Sequence, residues 1–150
     1  MLTDLLLAIG HHLLIFALAA LLVMEIMIVR PDMDRAAVLR AGRLDVAYGA
    51  VAGLILIVGF SRVFFGAKPA DFYLWNWVFW AKVGAFVVIG LLSAVPTRRL
   101  LQWRKAAEAD AAYAPPAGEI VTVRRLMHYE AVVFVLLPIF AAMMARGYGL

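Results

Sequence analysis

Hydrophobic residues in this chain neither alternate nor form narrow helical stripes. They come in four long blocks: Leu5–Val29, about Leu44–Phe65, about Trp75–Val95 and about Leu126–Ala145. Each holds ~20 residues or more, enough at ~1.5 Å rise per residue to cross ~30 Å of hydrocarbon. The blocks therefore predict four membrane-spanning helices. Arg30-Pro31 ends the first, because the residue before a proline is driven out of helical geometry. The run Gly66-Ala67-Lys68-Pro69 ends the second. Pro96 ends the third or kinks it, and a kinked helix runs on to Lys105. Residues 106–123, with Pro115-Pro116 and Gly118, predict a flexible linker. Short links and alternating direction make a single all-α domain over residues 1–150, an up-down four-helix bundle.

Composition strengthens this picture. Of 150 residues, 66% are hydrophobic, and mean hydropathy is +0.93. A soluble domain carries only about 45–50% apolar residues, so no soluble core absorbs the excess. The first block is not a signal peptide by this reading: residues 1–4 hold Asp4 and no Lys or Arg, and the run exceeds the ~7–15 residues of a signal core. With no cysteine, disulfides, iron–sulfur clusters and thiolate metal sites are excluded. There is no nucleotide-binding loop, nucleophile triad or HExxH motif.

The net charge of +4 points to topology, not to nucleic acid. Ten basic residues fall in two connections: Arg30, Arg35, Arg40 and Arg43 in one, Arg98, Arg99, Arg104, Lys105, Arg124 and Arg125 in the other. Only Arg62, Lys68 and Arg146 fall on the opposite side. The excess predicts cytoplasmic basic loops and both termini outside. Phe64, Phe65, Phe72, Tyr73, Trp75, Trp77, Phe79 and Trp80 then form an outer aromatic belt, and Trp103 an inner anchor. The expected partners are the bilayer and either a second copy or a redox protein.

Ionisable residues inside the spans need a reason, since hydrocarbon penalises them unless they face protein, water or a cofactor. Sorted by depth they make two layers. His11 lies ~9 Å and Lys82 ~10 Å from the outer end, with Arg62 and His12 nearby. Glu25, Asp45, His128 and Glu130 fall near the inner end. His11 and Glu25 are fourteen residues apart, about four helical turns, so they share a face. His12 points ~100° away. Plainer readings stand beside these: His12 and His128 as interfacial side chains, Asp45 and Arg62 as boundary charges, Glu130 paired with Arg124 or Arg125, and Lys82 and Glu25 snorkelling towards headgroups.

Imidazole inside a four-helix bundle is a haem-ligand arrangement. His128 sits ~20 Å below His11 by helix rise, too far to share one haem. A haem b here would be ligated by His11 on one side, by His11 with a weak or amine ligand such as Lys82, or between two subunits, and Arg62 and Lys82 suit tetrapyrrole carboxylates. Lys82 is the candidate catalytic residue. Met24, Met27, Met143 and Met144 with His11 and His12 raise copper handling. A non-enzymatic accessory or assembly subunit, with its polar layers pairing helices, is the other alternative. Gly49–Gly53 is a GxxxG match, expected to serve packing within the bundle.

By layout and length the chain resembles an uncharacterised bacterial family of four-helix membrane proteins, a domain of unknown function. It is more distantly similar to the HemJ-type protoporphyrinogen oxidases. The residues carrying that likeness are His11 or His12, Arg43-Leu44, Lys82 in Trp77-Val-Phe-Trp-Ala-Lys82, and Glu130 after His128-Tyr129. The second block lacks that family's Thr-Thr-Pro-Gly. The resemblance implies a shared bundle, a tetrapyrrole site using the first-helix His and third-helix Lys, and a multi-pass protein of the bacterial inner membrane.

Overall fold

The structure is a computed structural model and describes residues 2–66 and 68–149. Six helices follow in order: α1 (Leu2–Ile28), α2 (Arg35–Phe65), α3 (Ala70–Leu74), α4 (Trp77–Ala109), α5 (Ala117–Phe134) and α6 (Leu136–Ala145). No strand occurs among the described residues. Four stretches are long and apolar enough to cross a membrane: α1, α2, α4 and the α5–α6 pair. Their order around the bundle follows from their contacts. α1 packs on α2, α2 on α4, α4 on both α5 and α6, and α5 returns to α1. The ring is incomplete in one place: α6 touches α4 and α5 but, among the described residues, not α1.

The start of α1 and the tail that follows α6 lie at one end of the bundle. The Trp77 N–H, at the start of α4, donates to Gly149 O at 3.3 Å. Asn76 Nδ2 donates to Tyr148 O at 3.0 Å, while its Oδ1 accepts from Val78 N at 2.9 Å and caps α4. One asparagine thus starts a helix and ties down the tail. The half of the bundle at this end is called the terminal half, and the other the loop half.

The helices outrun the apolar blocks at the loop end. α2 begins at Arg35, well before Leu44, because the Asp34 side chain accepts from Ala37 N at 2.7 Å. Its first turns bury Val38, Ala41 and Gly42 and expose Arg40 and Arg43. A helix leaving hydrocarbon need be apolar on only one face, so hydropathy ends before the helix does. α4 likewise runs through Pro96 to Ala109, burying Leu100, Trp103 and Ala107. The flexible linker expected over 106–123 shrinks to residues 110–116, since α5 starts directly after Pro115-Pro116. The fourth span is two helices, not one. It breaks at Val135, where Pro138 has no N–H to give to the carbonyl four residues back.

Packing differs sharply between the halves. Leu18, Leu22, Val29, Met33, Val38, Tyr48, Leu100, Trp103, Ile120, Val123 and Met127 belong to one continuous buried cluster that fills the loop half. Side-chain bonds to backbone bind its rim. Arg124 Nη1 donates to Ile26 O at 2.9 Å and also to Val29 O, joining α5 to the end of α1. Arg35 Nε donates to Ala107 O at 2.8 Å, joining α2 to α4. Trp103 Nε1 donates to Glu119 Oε2 at 2.9 Å, and Glu119 also pairs with Arg99 at 2.9 Å. Gly42 lets α2 and α4 approach: a Cβ there would stand 2.8 Å from Arg104 Cβ. Among the described residues the terminal half has a much smaller cluster, Ala85, Ile89 and Leu137, between α4 and α6, with Val63 and Val78 buried outside it.

Candidate functional site

Where the terminal half lacks core, it holds a cavity of about 850 Å³. It is a cleft partly open at the surface, and Phe16, Phe60 and Val87 of its lining are exposed. It falls within the ~300–1,000 Å³ range of ligand pockets. Every spanning unit contributes wall: Ile15 and Phe16 from α1, Ile55 and Gly59 from α2, Phe79 and Phe86 from α4, Phe134 from α5, and Leu137 and Ala141 from α6. Lys68, Phe72 and Tyr73 line it at the end nearest α3, with the Lys68 ammonium 3.7 Å above the Phe72 ring and the Tyr73 and Phe79 rings 5.8 Å apart.

All four residues assigned to the outer layer, His11, His12, Arg62 and Lys82, line this cavity. His11 is the histidine that faces the bundle, on the buried face of α1 shared with Leu18, Leu22 and Glu25. Its ring fits because position 59 is glycine: a Cβ there would come within 3.3 Å of His11 Cε1. His11 Nδ1 has no hydrogen-bond partner, and neither has the buried Nε of Arg62. Lys82, Arg62 and His12 are all close enough to act on His11 electrostatically. Among the described residues no carboxylate lines the cavity. His12 is exposed, its ring perpendicular to that of His11, with Nδ1 2.7 Å from Ala8 O on its own helix. The site is therefore a basic, under-satisfied set of side chains on an otherwise apolar wall.

The inner layer is assembled differently. Glu25, Asp45 and Glu130 are all buried, and Asp45 and Glu130 lie within electrostatic reach of Glu25. Two residues that sequence reasoning missed complete it. Tyr48 donates its hydroxyl to Glu130 Oε1, and Thr97 donates to Asp45 Oδ1 at 2.7 Å. Tyr48 was legible as the residue one turn after Asp45 on the same face. Thr97, beside Pro96, carried no comparable signal. Glu25 Oε1 is left without a partner. His128 does not join: it is exposed, with Nδ1 2.6 Å from Arg124 O. Among the described residues no three of His, Cys, Asp and Glu are grouped so as to hold a metal ion.

Two further expectations change. Met24 and Met27 are exposed at the loop-half end of α1, away from the histidines, so they do not form a His–Met set for copper. Only Met144 of the named methionines lines the cavity. Gly49 and Gly53 do not pack within the bundle, since a Cβ at either would meet nothing within 4 Å.

Residues 3–149 match a family model described as predicted membrane protein (DUF2214), and the chain belongs to that family. No curated protein and no solved structure matches it. The match agrees with the resemblance to an uncharacterised membrane family and lends no support to the HemJ-type likeness.

Proposed function

We propose that this family member is a redox protein of the bacterial inner membrane that holds haem b, or a related tetrapyrrole, in the terminal-half cavity. The observation that carries the reading is the His11 imidazole on the wall of a large apolar cavity, its buried Nδ1 without a hydrogen-bond partner, with Arg62 and Lys82 beside it. The residues fit the group. His11 would hold the iron, Arg62 and Lys82 would suit the carboxylates, and Phe86, Phe134 and Leu137 would supply apolar walls. Haem, when bound, supplies a one-electron iron centre. The chain's own part is to orient it, neutralise its carboxylates and keep water from it. The excess of basic residues at the loop end supports placing that end in the cytoplasm and the cavity near the outer surface.

The test is an absorption spectrum of detergent-purified protein from haem-replete cells, oxidised and reduced. A Soret band is expected, and is expected to be lost in His11→Ala and weakened in Lys82→Ala. A colourless preparation contradicts the reading.

A second reading, a non-enzymatic accessory or assembly subunit, is favoured by the outward Gly49–Gly53 face, which is shaped for close approach by another helix. It predicts a stable partner or second copy in mild detergent that is lost on Gly53→Leu.

A further inference from the structure

We infer that the cavity takes an acidic amphiphile dissolved in the bilayer, and that this ligand enters sideways through the seam between α1 and α6. The inference rests on the cavity being the ligand site, as proposed above, but not on the ligand being a tetrapyrrole. Among the described residues α1 and α6 make no contact: α1 leans on α5 in the loop half, while α6 follows α4. Its rims are Phe16 and Ala19 on α1 and Ala141, Ala142 and Ala145 on α6, all of which line the cavity. Those α6 side chains are small, so they narrow the opening little. The break at Val135 separates α6 from α5, which leaves α6 free of the α1–α5 contact.

Depth decides which solvent the seam faces. Phe16 lies fourteen residues into α1, ~21 Å from its start, well inside hydrocarbon. Lys68, Phe72 and Tyr73 line the cavity at its other end. A ligand from the membrane would enter between apolar side chains of α1 and α6, which make no contact among the described residues, whereas one from water would pass Lys68, Phe72 and Tyr73. The chemistry of the head group follows from the wall. His11, Arg62 and Lys82 converge with no carboxylate among them, and His11 Nδ1 and Arg62 Nε lack partners. The Arg62 guanidinium and the Lys82 ammonium suit a carboxylate or phosphate, and a long or flat apolar body fills the remainder.

The chain has no cysteine, so a single Val83→Cys on the cavity wall gives one reporter thiol, with Ala141→Cys as a second should the first not fold. In phosphatidylcholine nanodiscs, the bilayer-partitioning reagent N-pyrenyl maleimide is expected to label it several-fold faster than the water-soluble cation MTSET. Oleate is expected to slow labelling while methyl oleate does not, and Arg62→Met with Lys82→Met removes the protection. An arm with oleyl phosphate separates phosphate from carboxylate recognition. Ala142→Trp, which fills the seam without touching the charges, is expected to slow labelling by itself. MTSET labelling as fast as the lipophilic reagent overturns lateral entry, as does labelling by neither. Equal protection by oleate and its ester overturns recognition of the acid. A Soret band without lipid-side labelling removes the portal and keeps the tetrapyrrole. The full labelling pattern in colourless protein does the reverse.

Discussion

The two halves of the bundle bury ionisable side chains in opposite ways. In the loop half, Glu25, Asp45 and Glu130 sit in a filled core, and Tyr48 and Thr97 spend their hydroxyls on two of them. In the terminal half, His11, Arg62 and Lys82 line a space that no side chain fills. Charge inside a membrane span is therefore not by itself a sign of a ligand site. The informative combination is unsatisfied polar atoms with missing packing, and only the terminal half has both. The loop half holds the spans together. The terminal half is free to be shaped for binding.

This contrast can be broken by substitution. Trp103→Ala empties the centre of the loop-half cluster and removes the donor to Glu119, so it is expected to cost about 3–5 kcal/mol, read as a lowered unfolding midpoint in detergent. Gly42→Val drives a side chain into Arg104 where α2 and α4 meet, with an expected loss of about 1–3 kcal/mol by the same measurement. Tyr48→Phe leaves Glu130 Oε1 without its donor, and about 1 kcal/mol is expected, since hydrogen bonds within spans contribute modestly. Lys82→Met, in the terminal half, removes a cation set beside Arg62 and is expected not to lower the unfolding midpoint of ligand-free protein while weakening ligand binding. A Lys82 variant as destabilised as the Trp103 one would erase the distinction between the halves.

Much of the scaffold was legible in the sequence, for a physical reason. Hydrocarbon demands long apolar runs, so Leu5–Val29 and its three counterparts announce themselves. The helical rise then placed His11 and Lys82 at one depth, and both line one cavity. The face shared by His11 and Glu25 was likewise readable from their spacing. Outside hydrocarbon that demand lapses, which is why Arg35–Arg43 and the start of α5 went unseen as helix. His128 was assigned by depth alone, and depth says nothing about direction: it turns outward to its own helix backbone. The open seam had no sequence signature, because whether α6 meets α1 depends on how helices lean after the break at Val135.

The central claim, that the terminal half is a ligand site and the loop half its support, is tested most directly by titrating haemin into colourless, ligand-stripped protein and following the unfolding midpoint. Binding to the folded state alone adds about 2.7 kcal/mol at a hundredfold excess over Kd. The account predicts a saturable rise in the wild-type chain and in Tyr48→Phe, and none in His11→Ala combined with Arg62→Met and Lys82→Met. An equal rise in the triple variant, or no rise in the wild type, would contradict it.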